Sequence, residues 1–232
     1  MTVLVFRFSL FAFRFSRSST GARADVRPSV RLHALSDTRF ILASASPRRR
    51  ELLASIGLAF DVIPSHIPEV RENGESPEEY VARLSREKAE AIAAVHPERW
   101  VVAADTTVLL GDELLEKPVD ATDAARMLAT IAGRTHVVYT GVTLRNATAP
   151  WHETRIAESE VRMLPLTTRQ IDWYVKTGEP LDKAGAYAVQ GIGAMFIESI
   201  HGSYTNVVGL PLATLYEMLR KAGLDPIPES EE

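Results

Sequence analysis

Apolar positions from residue 40 onward fall into short bursts and helical stripes that alternate along the chain. Phe40-Ile41-Leu42-Ala43 is a brief apolar run ending in Ser44-Ala45-Ser46-Pro47, the pattern of a buried strand handing over to a polar loop. Pro47 suits the first turn of a helix, and Leu52, Leu53 and Ile56 keep helical spacing until Gly57 supplies a stop. Phe60 to Ile63 reads as a second strand, and the Pro, Gly and Glu content of 64–74 reads as an exposed loop. Ser76 and Glu79 fit a capping box, after which Tyr80, Val81, Leu84, Ala91, Ile92 and Val95 form an apolar stripe as far as His96-Pro97. Trp100 to Ala104 is apolar throughout, and Val108 to Leu110 resumes the run before Gly111-Asp112, which predicts a buried strand and a hairpin. A helix over Asp120–Ile131, a long strand over His136–Leu144 and a strand over Ile156–Leu164 follow, and Thr167 with Gln170 caps a helix ending at Gly178. From Leu181 to Leu212 the chain is rich in glycine and small residues, with one strand at Met195–Ile200, and a helix over Leu212–Ala222 closes it. Alternating strands and helices predict an α/β protein with a mixed sheet, and no internal repeat is visible.

Composition adds limits to this picture. With 232 residues, 46% of them hydrophobic and 24% charged, the chain can bury a core and still cover itself, and it reads as one folding unit. Its net charge of −4 argues against broad nucleic-acid binding, so an anionic ligand must be met by a local site. The absence of cysteine excludes disulfides, thiolate nucleophiles and cysteine-ligated metals. Residues 1–36 hold six arginines, several serines and a single acid, Asp25. That is the composition of a mitochondrial transit peptide, and equally of translated upstream sequence. Arg7, Arg14 and Arg17 interrupt its apolar patches, which fall short of the roughly 20 apolar residues of a membrane span. The expected division is a leader over 1–38, a folded domain over 39–224 and an acidic tail over 225–232, located in the cytoplasm, or in mitochondria if the leader is genuine.

Candidate chemistry begins where the first strand meets the first helix. Ser44, Ser46, Arg48, Arg49 and Arg50 cluster at a helix N-terminus, where free N–H groups and the helix dipole favour an anion. Arginine's planar fork matches phosphate oxygens, so a polyphosphate fits, although three arginines on a first helical turn also suit a solvated surface. Asp105 ends a buried apolar run, and Glu69, with Glu51, Glu72 and Glu116, supplies further carboxylates. Mg2+ or Mn2+ held by one or two carboxylates and by phosphate oxygens could orient a water, and Asp105 could accept that water's proton. An aspartate at a strand end is more often a turn or cap residue. Lys88 and Lys117 are candidate phosphate contacts, the latter fixed in direction by Pro118. In the glycine-rich stretch Gln190 could read a base edge with its amide. No dinucleotide fingerprint or P-loop is present, and His66, His96, His136, His152 and His201 lack metal-ligand spacing.

Together these residues resemble the Maf family of nucleotide pyrophosphatases over about Phe40 to Ala222. Ser44-Ala45-Ser46-Pro47-Arg48-Arg49 is similar to its amino-terminal phosphate motif, Ala104-Asp105-Thr106 to its catalytic motif and Glu116-Lys117-Pro118 to its lysine motif, with Gly133-Arg134-Thr135-His136 and Thr140-Gly141-Val142 extending the match. The resemblance implies a bent mixed β-sheet flanked by helices, with two lobes around a central cleft, as in inosine-triphosphatase-like proteins, and a homodimer. It implies Asp105 as proton acceptor and metal carboxylate, Arg48 and Arg49 on phosphates, and Glu69, Lys88 and Lys117 around the same site. Leu115-Glu116-Lys117-Pro118 and the stretch Asp182 to Gly191 are similar to the branch acting on dTTP and UTP, where Arg48, Thr106 and Gln190 correspond to specificity positions. Glu116 counts against the branch preferring 7-methyl-GTP, which typically has glycine there. Ala188 stands where glycine is common, and the leader has no family counterpart. A purine pyrophosphatase and a nucleotide-binding regulator of cell division with little turnover are the competing readings.

Overall fold

The computed structural model describes residues 40–149 and 151–226, so the leader over 1–38 and most of the acidic tail lie outside the described residues. The elements are β1 (Phe40–Leu42), α1 (Pro47–Ser55), β2 (Phe60–Val62), α2 (Pro77–Val95), β3 (Trp100–Leu110), β4 (Glu113–Leu115), α3 (Ala121–Ile131), β5 (Thr135–Asn146), β6 (Trp151–Met163), α4 (Thr168–Lys176), β7 (Ile197–Gly202), α5 (Tyr204–Val208) and α6 (Leu212–Lys221). The mixed sheet expected from the alternation forms, seven-stranded in the order β2-β1-β3-β5-β6-β7, with β4 on the side of β3. Both expected capping boxes, Ser76 with Glu79 and Thr167 with Gln170, are present. Three differences stand out. β6 begins at Trp151, the last strand runs from Ile197 because Ile192–Phe196 forms a 3-10 turn, and the short helix α5 lies in the stretch expected to be irregular.

β3 organises the site. Along one edge it pairs without a break with β5, from Val101–Arg145 to Leu109–Val137. Its other edge is covered by β1 only over Trp100–Val102 and by β4 only over Val108–Leu110. The sheet is therefore open beside residues 103–107. The apolar interior changes at the same level on both faces, because side chains alternate along a strand. On one face Ala104 belongs to a cluster with Phe40, Leu53 and Leu215, Val108 belongs to another with Leu128, Tyr174 and Phe196, and Thr106 lies between them. On the other face α2 covers the sheet, and Asp105 and Thr107 fall between Ala103 and Leu109.

Gly141 sets how closely α2 approaches. It pairs with Asp105 across the β3–β5 ladder, and a Cβ on it would land on the Val81 carbonyl of α2. Its lack of a side chain lets the helix backbone lie on the sheet. Farther along the same strand His136 is buried, its Nε2 2.8 Å from the Tyr187 hydroxyl, with the rings edge-on at 5.1 Å. Burial pushes the His136 imidazole down to about 4.

Two outcomes are expected. Gly141→Ala forces helix backbone off the sheet and should cost about 3 kcal/mol, lowering Tm by on the order of 10 °C in a thermal melt. An unchanged Tm would contradict the close packing of α2. For His136, the unfolded chain takes up its proton near pH 6.5 while the folded one resists until about pH 4. Stability present above pH 6.5 is thus lost as pH falls towards 4, by about 3 kcal/mol in all. Urea midpoints measured across that window should fall in the wild type and stay flat, as far as this group is concerned, in His136→Gln.

Candidate active site

The opening beside residues 103–107 of β3 is the floor of a cleft of about 580 Å3. Ser44, Ser46, Arg48 and Arg49 from the β1–α1 junction, Glu69 from the following loop, Lys88 from α2, Asp105 and Thr106 from β3, and Lys117 after β4 all line it. The sequence-predicted site residues therefore meet, with one exception. Gln190 is half-buried but is not among the lining residues, whereas its neighbours Ala188 and Val189 are. Arg50, Glu51 and Glu72 are exposed and lie outside the cleft, while Glu116 is inside it.

On the α2 face the site is a chain of alternating charges. Lys88 Nζ lies 2.6 Å from Asp105 Oδ1 and 2.6 Å from Glu69 Oε1, and Lys117 Nζ lies 3.2 Å from Glu69 Oε2. Only 6% of the Lys88 side chain and 9% of the Asp105 side chain is exposed, so the pair is made largely away from bulk water. Burial opposes ionisation of Glu69, but its hydrogen bonds and proximity to Lys88 and Lys117 outweigh this and hold its carboxyl down to about 2. Tyr80 donates to Glu116 Oε1 at 2.8 Å, and burial together with that carboxylate pushes its hydroxyl pKa well up. Asp105 keeps Oδ2 free of any protein hydrogen bond among the described residues.

The opposite face is built around Arg49. Its Nε donates to the Gly209 carbonyl at 2.8 Å, one terminal nitrogen to Ser44 Oγ at 3.2 Å and the other to Thr106 Oγ1 at 3.0 Å. Burial lowers its pKa, opposed by the charges of Asp105 and Glu69. Ser46 caps α1 by accepting from Arg49 N, and Ser44 Oγ accepts from Ser46 N, which orders the junction. Arg48, with 24% of its side chain exposed, is the more available guanidinium, held 3.7 Å from Asp182 across the cleft. Thr106 Oγ1 is 2.9 Å from Thr140 Oγ1, which is 3.1 Å from the Asn206 carbonyl. Tyr80 and Gly209 escaped the sequence reading as site residues, and Asp182 and Tyr187 entered it only within the stretch Asp182 to Gly191. Tyr80 was one more apolar position in a helical stripe, and Gly209 owes its place to α5, whose end it caps with φ of 116°.

A divalent cation held by a complete protein cage is not formed, since among the described residues no group of three or more His, Cys, Asp or Glu side chains gathers for a metal. Asp105 and Glu69 do converge on one positive centre, the Lys88 ammonium. Mg2+ and Mn2+ take one or two carboxylates and complete their shell from phosphates and water, so Asp105 and Glu69 are the residues of the ligand type such an ion would need, although Lys88 engages one oxygen of each here. Among the described residues no helix is long and apolar enough to cross a membrane.

Comparison with known proteins supplies the context. A Myxococcus xanthus protein named dTTP/UTP pyrophosphatase is 51% identical over 191 residues, covering 82% of this chain and 95% of its own length. Proteins of the same name from Anaeromyxobacter dehalogenans strain 2CP-C and Syntrophus aciditrophicus are 53% and 49% identical, over 82% and 80% of this chain and 96% and 90% of their own. Among solved structures, the Ham1 protein of Staphylococcus aureus aligns over 54% of this chain and 72% of its own at 13% identity, with a TM-score of 0.37, too loose a likeness to bear on function. The Maf-like protein profile matches residues 39–222, the whole sheet and the helices that carry the cleft, and on these grounds the chain belongs to the Maf family.

Proposed function

We propose that the protein hydrolyses nucleoside triphosphates, dTTP and UTP first among them, to the monophosphate and pyrophosphate. The observation that carries this reading is the cleft itself. The Asp105–Lys88–Glu69–Lys117 charge chain and the Arg48–Arg49 pair line a single space large enough for a nucleotide. The names of the relatives at about half identity support pyrophosphatase activity and the dTTP and UTP preference.

In this reading water attacks the α-phosphorus, the bond from that phosphorus to the bridging oxygen breaks, and pyrophosphate leaves with the bond pair. Asp105 takes the water's proton on Oδ2, the oxygen that Lys88 leaves unused. Lys88 holds the other oxygen at 2.6 Å and so keeps the carboxylate aimed. Arg48 and Lys117 stand where they can bind phosphate oxygens, Arg48 by exchanging Asp182 for the substrate, and Ser44, Ser46 and Thr106 hold Arg49 in line behind them. Asp105 and Glu69 would hold Mg2+ or Mn2+, which supplies charge neutralisation on the triphosphate when bound. Gln190 is proposed to read the base edge, which requires its amide to reach past Val189 into the cleft. The relationship to the family also leads us to infer a homodimer in solution.

The test is pyrophosphate release by the purified protein with Mg2+ or Mn2+, in parallel on dTTP, UTP, CTP, 7-methyl-GTP and ATP. Release should be fastest from dTTP and UTP. Asp105→Asn should lose at least about 100-fold in kcat with its circular dichroism intact, the scale of a missing general base. Normal turnover by that variant removes Asp105 from the mechanism, fastest release from 7-methyl-GTP reassigns the substrate, and dTTP binding without release from any nucleotide marks a binding protein.

A further inference from the structure

Residues Asp182, Lys183, Ala184, Tyr187, Ala188 and Val189 form one wall of the cleft. Of these, Tyr187, Ala188 and Val189, together with Val108, Val138 and Val207, are apolar lining residues of the cleft, the kind of surface suited to an uncharged base. Small side chains and glycines do not hold such a segment in one conformation. Yet it is closely fixed. Ala186 is fully buried with φ of 57°, a left-handed backbone that a residue with a side chain keeps only when its surroundings enforce it.

Glu179 supplies the restraint from outside the cleft. Its Oε1 accepts from Ile192 N at 2.9 Å, and its Oε2 accepts from Gly193 N at 2.8 Å and from the Tyr174 hydroxyl at 2.6 Å. The Tyr174 oxygen in turn accepts from Ala188 N at 3.0 Å, so one carboxylate ties the start of the segment, its cleft-facing middle and its end to α4. The glycines fit this knot. A Cβ on Gly191 would land on Glu179 Oε1, and one on Gly193 would meet the Tyr174 hydroxyl and the Ala188 carbonyl. A carboxylate with three donors is a strong hub, and removing it leaves those donors without a partner.

We propose that Glu179, acting through Tyr174, is the positioning residue that sets the wall Tyr187–Val189 against which the nucleoside of the substrate lies. This rests on the nucleotide-cleaving activity proposed above. It concerns recognition of the base rather than the chemical step, so its loss falls on KM and on the preference among bases.

Glu179→Ala, Glu179→Gln and Tyr174→Phe are to be compared with the wild type well below their Tm values. The measurements are steady-state kinetics on dTTP and ATP, affinity for an α,β-imido analogue of dTTP, and hydrogen exchange over residues 186–193. Glu179→Ala should raise KM and Kd about tenfold, the scale of one orphaned donor, with kcat changed far less, the dTTP-over-ATP preference narrowed and exchange faster in that segment. Glu179→Gln, which keeps one acceptor oxygen, should recover part of the loss, and Tyr174→Phe should reproduce it with the ring packing kept. If Glu179→Ala does not fold, Tyr174→Phe decides by the same readouts. Unchanged KM, Kd and base preference with only a lower Tm would overturn the proposal while leaving the activity in place, as would a fall confined to kcat. If the wild type binds the analogue but cleaves nothing, the activity reading falls and the Kd comparison still decides; a wild type that neither binds nor cleaves overturns both.

Discussion

Placing a lysine ammonium with only 6% of its side chain exposed costs its hydration, which a paired carboxylate offsets, and the pairing of Lys88 with Asp105 and Glu69 is the constraint from which the site follows. Each requirement of that contact reads back to a specific piece of the chain. The helix must lie on the sheet, which Gly141 permits. The sheet must be open at Asp105, which follows because β1 and β4 cover β3 only at its two ends. The loop before α2 must return to bring Glu69 over the opening, and the Ser76 capping box fixes where that loop stops.

The other face repeats the arrangement with different chemistry. Arg49 is also covered, but its acceptors are neutral: a carbonyl from Gly209 and hydroxyls from Ser44 and Thr106. Its positive charge is therefore not cancelled by the groups that orient it, and with Arg48 it faces the cleft as a source of positive potential, while the carboxylates of the opposite face draw on Lys88 and Lys117. Segregation of the two sets by alternation along a single strand, Asp105 and Thr107 to one side and Thr106 to the other, gives an overall acidic chain a place for a polyanion.

Signals confined to a few neighbouring residues were legible in the sequence. Ser76 with Glu79 and Thr167 with Gln170 marked their helices because each side chain bonds backbone three residues away, and Pro47 marked the head of α1 by fixing its own φ. Likewise the chemical character of Ser44 to Arg49 and of Asp105 is a property of those residues. What depended on distant partners was not legible. Asp105-Thr106-Thr107 reads as a break in an apolar run, yet the strand continues because β5 supplies an unbroken ladder from Val101 to Leu109. The start of β6 is polar and alternating on a partly exposed strand, and the 184–209 region takes its turns from Glu179, Tyr174 and Asn206, whose bonds span 13 residues or more in sequence. The residues of the Maf motifs line one cleft, with Gln190 outside its lining.

The continuous ladder between β3 and β5 also decides how the site comes apart. Asp105 sits at the middle of that ladder with packed apolar clusters before and after it, away from the ends where a strand frays first. Arg48 and Asp182, by contrast, are carried by a helix start and a 3-10 turn and are joined by a loose ion pair. The cleft thus joins a floor built on a nine-pair ladder to a rim closed by one partly exposed ion pair that can be exchanged for another partner.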